Sequence, residues 1–293
     1  MPLPGNGKTA ERHLRLFEVA KQDVSLAKLA EAHWDALAIL AEAGRSPVHG
    51  ALYAVWASEI SGKPLTVVDK RVSGEKAFCT GFGLVQRALV TIGADDGRLL
   101  DVDVRPGPAI RASAAQWQTE AFRLTNTGSV RFDELGIDDH ASIGARGSYL
   151  SRPGFWHGAC GPAACWAGGA AGLLAFADAS GSGDPHTLAH LAAMHANVWA
   201  MRSLLQTAGE EIDAQPDDVL AAQRRALTVR HLIEQLATDL LRRFARAYGP
   251  VPLAMHEQIA RRYQEVDLFL RQAHGERDLE SLARLIQTKR SAG

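Results

Sequence analysis

Apolar positions recur at helical spacing near both ends of the chain and at strand spacing between them. Across residues 10–43, Leu26, Leu29, Ala30, His33, Leu37 and Leu40 follow the i, i+3, i+4, i+7 pattern of one helix face, and Gly44 supplies a stop. From about residue 45 to 150 the apolar runs shorten to strand length, at 51–57, 65–68, 87–92, 99–104 and 129–132. Turn signals at Ser61-Gly62, Ser73-Gly74, Asp95-Asp96-Gly97 and Thr127-Gly128 separate them, which predicts an antiparallel β domain. No βαβ alternation is present, and this argues against a Rossmann domain.

Past Pro153 the helical period returns. The first helix, about 155–178, is followed by Asp184-Pro185, a cap residue with proline at the first helical position. Leu188, Leu191, His195, Val198, Arg202 and Leu205 continue that second helix. A third carries Val229, Leu232, Ile233, Leu236, Leu240 and Phe244 and stops before Gly249-Pro250; a fourth carries Tyr263, Val266, Leu270 and Ala273. Gly158, Gly161, Gly168, Gly169 and Gly172 stud the first helix, each costing roughly 1 kcal/mol of helix propensity relative to Ala. Their retention predicts a close approach to that backbone by a neighbouring helix or a ligand. The expected fold class is therefore α+β: a short N-terminal helical segment (1–45), an antiparallel β domain (46–150) and a C-terminal four-helix bundle (151–293).

Composition narrows the function classes. Lys and Arg number 32 against 33 Asp and Glu, a net charge of −1, so there is no basic footprint for nucleic acid or an anionic membrane surface. The three cysteines, Cys79, Cys160 and Cys165, are too few and too irregular for a disulfide framework and point to a reducing compartment. With no apolar leader in MPLPGNGKTAERH, the expected location is the cytoplasm. Residues 158–177 form an uncharged run of membrane-spanning length, yet they are mostly Ala and Gly with Pro162, so a buried helix is expected rather than a span.

Several motifs carry little chemistry. Gly7-Lys8-Thr9 ends like a phosphate-binding loop but lacks the leading glycine and strand that the loop requires. His186, His190 and His195 share helical spacing, but no carboxylate or Cys completes a metal set, so no metal site is expected. His157, Cys160 and Cys165 lie in the Ala/Gly helix, where Cys acts as a small hydrophobe.

Three ordered segments carry more. Val55-Trp56-Ala57-Ser58-Glu59 is followed by Gly74-Glu75-Lys76-Ala77-Phe78-Cys79-Thr80, and later by Arg123-Leu124-Thr125-Asn126-Thr127-Gly128-Ser129-Val130-Arg131-Phe132-Asp133-Glu134. In this order and spacing they resemble the flavin-contacting segments of the acyl-CoA dehydrogenase family, whose layout is also helices, β domain and four-helix bundle. The resemblance covers roughly residues 10–290. It implies FAD as cofactor, with Ala57, Ser58, Phe78, Thr80 and Thr125 as cofactor-binding residues. Hydroxyl and backbone donors would meet N5, O4 and the pyrimidine edge of the ring, where charge appears on reduction.

The same resemblance implies an acyl-CoA or similar acyl substrate, an electron-acceptor protein as partner and a homo-oligomer. In many members the catalytic base is a Glu eight residues after the Asp of an Arg-Asp pair; eight residues after Asp267 stands Gly275, flanked by His274 and Glu276. Glu276 is the candidate base for the α-proton of an acyl thioester. His274 is the candidate proton donor if the chain follows the family's flavin monooxygenase relatives. The sequence also departs from the family. Little more than one long helix precedes the β domain; Ile60-Ser61-Gly62-Lys63 stands where a phosphate-holding Gly-Ser-Asp is usual; and residues 180–186 replace an Arg-x-x-Phe-Gly segment that reaches the pyrophosphate. Three functional classes follow: an acyl-CoA dehydrogenase-like oxidoreductase, a flavin monooxygenase on the same fold, or a non-catalytic relative that binds an acyl group or a partner.

Overall fold

A computed structural model of the chain describes residues 1–59, 64–93, 97–113 and 117–291. Helices α1 (Thr9–Gln22) and α2 (Val24–Glu42) lead into strands β1 (Tyr53–Trp56), β2 (Thr66–Val68), β3 (Arg71–Cys79), β4 (Arg87–Ile92), β5 (Arg98–Asp103), β6 (Ile110–Ala112), β7 (Gly128–Gly136) and β8 (Ser142–Ile143). Helices α3 (Ser148–Ser151), α4 (Pro153–Gly158), α5 (Cys160–Ser180), α6 (Pro185–Ala214), α7 (Val219–Tyr248), α8 (Val251–Met255), α9 (Glu257–Leu270) and α10 (Glu276–Ser291) complete the chain. The turn signals Ser61-Gly62 and Asp95-Asp96 lie outside the described residues, as does the Ile60–Lys63 segment. The chain divides into a helical unit, Met1–Ala27 with Trp156–Gly293, and a β unit, Lys28–Phe155.

The single helix expected over 10–43 is two. Asp23 has extended backbone (φ −150°, ψ 122°), and its carboxylate accepts a hydrogen bond from Leu26 N at 2.8 Å. It therefore ends α1 and caps α2 in one residue, a break that apolar periodicity does not register.

In the helical unit α5 is the central element. Of its residues, Gly168 sits so close to α1 that a Cβ there would lie 2.1 Å from the Phe17 carbonyl oxygen. The close neighbour implied by the glycines is thus a helix. Gly209 of α6 meets the start of α1, where a Cβ would lie 2.3 Å from Ala10 N. Among the described residues, the stretch 153–180 alone is long and apolar enough to cross a membrane, and 78% of its most apolar window is buried inside the protein. The Asp184 cap forms as its sequence indicates, accepting from Thr187 N at 2.7 Å with Pro185 next. The sequence pattern stops at Ala273, whereas the structure continues: Gly275, at φ +54°, breaks the chain after α9, and α10 follows. Its described side chains are exposed or half-buried, and Leu279, Leu282, Ala283 and Ile286 repeat the i, i+3, i+4, i+7 spacing behind the charged run 274–280.

In the β unit two four-stranded sheets run β1-β4-β5-β8 and β2-β3-β7-β6. The β1–β4 ladder is parallel and the other ladders are antiparallel, so the predicted antiparallel domain holds with one exception. Period-two alternation is the same for either direction, and sequence pattern alone does not separate them. Trp56, Val72, Val90 and Phe132 meet in the core shared by the two sheets, while Leu89 of β4 faces the other way onto Leu40 and Tyr53. Buried on both faces, β4 reads as a continuous apolar run.

Candidate functional site

Two chain segments that the sequence singles out are stapled together by an indole. Trp56 is 1% exposed and packs edge-on to Phe132 with centroids 6.4 Å apart. Its Nε1–H donates to the Thr80 carbonyl at 3.0 Å, so the end of β1, with Ala57 and Ser58 next, is held beside the 78–80 turn. Ser58 is exposed and Ala57 half-buried.

A second tie runs underneath. Lys76 is fully buried, and its ammonium donates to Thr91 Oγ1 at 2.5 Å and to the Glu59 carboxylate. Thr91 Oγ1 lies 3.2 Å from the Ala57 carbonyl and 2.9 Å from Glu59 Oε1. The segment 57–59 is therefore fixed from behind by one buried cation and one hydroxyl. Burial lowers the Lys76 pKa, and the hydrogen bond and charge of Glu59 oppose that shift.

Between Lys76 and Thr80 the strand bulges. Lys76 pairs with Val130 and Cys79 with Gly128, so Ala77 and Phe78 stand opposite one residue of β7. The extra residue is Phe78, at φ +53°, a left-handed conformation unfavourable for a residue with a bulky side chain. The bulge turns its ring outward, 63% exposed, and Trp117 meets it edge-on with centroids 6.2 Å apart at 89°. Next to it Cys79 is enclosed, and burial pushes its thiol pKa far up, which removes it as a nucleophile at neutral pH.

Thr80 and Thr125 come together through a residue that sequence reasoning missed. Thr127 Oγ1 donates to Thr80 Oγ1 at 3.1 Å and lies 2.6 Å from Thr125 Oγ1. Thr125 is 0% exposed, so it stands behind Thr80 rather than at a surface. Thr127 stands in the sequence both in a turn signal and in the third family-resembling segment but not among the cofactor-binding candidates, and Lys76 and Trp117 gain their meaning from partners 15 or more and 39 residues away.

No family model matches the sequence, and no curated protein does. Solved structures do match. KijD3, in complex with FMN and dTDP-3-amino-2,3,6-trideoxy-4-keto-3-methyl-D-glucose, superposes over 96% of this chain and 79% of its own at 15% identity, with TM-score 0.79. Butyryl-CoA dehydrogenase from Megasphaera elsdenii superposes over 94% and 81% at 16% identity, with TM-score 0.77. The chain has the acyl-CoA dehydrogenase fold. On the same fold, FMN-bound TdsC from Paenibacillus sp. A11-2, a dibenzothiophene monooxygenase, matches 96% of this chain and 84% of its own at 15% identity, with TM-score 0.79.

Within this acyl-CoA dehydrogenase fold, the two catalytic candidates lie at the start of α10 in the helical unit. Glu276 is exposed in its first turn. His274 is 63% exposed, with Nδ1 3.4 Å from Asp278 Oδ1 and its backbone N–H donating to Asp278 Oδ2 at 3.3 Å. Asp278 thus ties both the backbone N–H and the imidazole of His274 to the first turn of α10. Cys160, 1% exposed, has its thiol pushed up to about 11 by burial, which fits a packing role.

Proposed function

We propose that the protein is a flavin-dependent oxidoreductase whose β unit holds the isoalloxazine ring against Ala57, Ser58, Phe78 and Thr80. The observation that carries this reading is Phe78. A strained bulge that sets an aromatic ring outward is retained against an energetic cost of order 1–3 kcal/mol, and such strain gathers where a ligand is gripped. A planar ring system with one apolar face and one polar edge fits what these residues offer: the Phe78 ring for the face, the Ser58 and Thr80 hydroxyls for the edge. When bound, a flavin supplies acceptance of hydride from carbon and, once reduced, reactivity toward oxygen. The protein's part is to orient that ring, exclude water and move a proton.

FAD is the cofactor implied by the sequence resemblance. FMN in the KijD3 and TdsC structures supports the smaller flavin, and the exposed connection 181–184 between α5 and α6, like residues 180 and 185–186 beside it, lacks the arginine that would meet a pyrophosphate. The finer reading of the reaction is α,β-dehydrogenation of an acyl thioester with Glu276 as base, its carboxylate taking the α-proton. A second reading, a flavin monooxygenase with His274 as proton donor, is favoured by the His274–Asp278 pairing and by likeness to a dibenzothiophene monooxygenase.

The deciding experiment is the visible spectrum of the protein after incubation with FMN or FAD and removal of free cofactor. Retained bands near roughly 370 and 450 nm support the flavin reading. Anaerobic bleaching by acyl-CoA then favours dehydrogenation, and oxygen uptake by the reduced holoprotein without acyl-CoA bleaching favours the monooxygenase. A protein that stays colourless with both flavins overturns the proposal and leaves the non-catalytic binder.

A further inference from the structure

An open cleft of about 560 Å³ runs between α6 and α7, wholly within the helical unit, and none of the residues assigned to a flavin lines it. Its size falls within the range of small-molecule sites, roughly 300–1,000 Å³. At its middle Arg225 of α7 meets Glu211 of α6: Nε donates to Glu211 Oε2 at 2.9 Å and Nη2 to the Glu211 carbonyl at 3.3 Å. The Arg225 side chain is 6% exposed, and its third nitrogen, Nη1, is buried without an acceptor. Arg224 beside it is half-buried, and no described group accepts from its guanidinium. Among the described residues lining the cleft, Glu211 is the one carboxylate, so two guanidinium charges share a single acid.

To one side of this pair the lining is apolar. Asn197 meets Asp239 as Glu211 meets Arg225, so the two helices run antiparallel. Leu204, two turns before Glu211, and Val229, one turn after Arg225, therefore fall at the same end of the cleft, with Ala208 between them. A bare inorganic anion would leave those walls unfilled, and a neutral apolar molecule would leave the arginines unanswered. We propose that the cleft binds an aliphatic carboxylate, its head group on Arg224 beside the Arg225–Glu211 pair and its chain along Leu204, Ala208 and Val229. A guanidinium is planar and meets a carboxylate with two parallel N–H donors, and Arg224 has that fork free. Glu211 holds Arg225 in place and leaves one positive charge uncompensated, which sets the sign of the ligand. No bond is made or broken, and the site stands independently of the flavin reading.

The test is isothermal titration calorimetry of the full chain with octanoate, with octanol and inorganic phosphate as probes of the chain and the charge alone. Octanoate is expected to bind at one site, and octanol and phosphate each at least about tenfold more weakly. Arg224→Gln should weaken octanoate about tenfold, the effect of one charge-assisted hydrogen bond, and leave octanol unchanged. Thr207→Trp, at the exposed rim, places an indole across the apolar end and should abolish octanoate binding. Arg224 is half-buried without a partner and Thr207 is exposed, so both variants should keep the fold, which circular dichroism checks. No octanoate binding, equal binding by the wild type and both variants, or octanol or phosphate as tight as octanoate overturns the site. Each outcome reads the same whether or not the protein retains a flavin.

Discussion

The side chain of Lys76 is completely enclosed, yet that of its partner Glu59 is 30% exposed. The asymmetry predicts unequal effects of breaking the pair. Glu59→Gln leaves a charge stranded inside the sheets, whereas Lys76→Met leaves a carboxylate that water can reach. Glu59→Gln is expected to destabilise the protein by roughly 2–4 kcal/mol, and Lys76→Met by less. The double variant should recover part of the loss, read as a coupling in a denaturant-unfolding cycle. Additive single effects would show that the pair does not act as a unit.

Phe78→Gly separates strain from function. Deleting a ring that is 63% exposed removes little packing, and glycine accepts φ +53° without the steric penalty. The melting temperature should hold or rise, while flavin affinity falls about tenfold through loss of the aromatic face. A variant both less stable and unchanged in flavin binding would show that the ring serves the fold alone.

These two predictions also mark what the sequence discloses. Ser58, Phe78 and Thr80 are singled out by the sequence because each sits in a short motif whose spacing is local. Lys76 stands in the same motif, but its role depends on Thr91 and Glu59, 15 and 17 residues away, and no periodicity encodes that meeting. Thr127 lies in the third ordered segment, but its meeting with Thr80 is not encoded there: only the β3–β7 pairing brings the two together. The helices were legible wherever one face is buried. Asp23 is a single-residue break that periodicity does not register, and α10 holds helical spacing at Leu279, Leu282, Ala283 and Ile286 but starts inside the charged run 274–280, which reads as a solvated segment.

Gly168→Ala tests the packing of α5 on α1. Alanine gains roughly 1 kcal/mol of helix propensity, but its methyl would lie 2.1 Å from the Phe17 carbonyl oxygen, a backbone atom that cannot turn aside. Overpacking of this kind typically exceeds the gain, so a net loss of about 1–3 kcal/mol is expected in urea unfolding. Gly183→Ala is the control, because nothing lies within 4 Å of a Cβ there and its effect should be close to zero. Equal stability of the two variants would mean that the helices separate at little cost.

Acid sensitivity should centre on His13. The ring is 1% exposed, and its Nδ1–H donates to the Leu205 carbonyl at 3.0 Å, which leaves no room for hydration of a charged imidazolium. Burial, opposed in part by that hydrogen bond, lowers its pKa from 6.5 to about 4. Between these values the unfolded chain holds a proton that the folded chain refuses, so stability falls as pH drops from 6.5 toward 4 and levels off below. The full swing is about 3 kcal/mol at 1.36 kcal/mol per unit. His13→Gln keeps an N–H donor for Leu205 and removes the titration. Its unfolding free energy should therefore follow a shallower pH slope than the wild type, by about one proton, between pH 6.5 and 4; superimposable slopes would assign the acid transition to other groups.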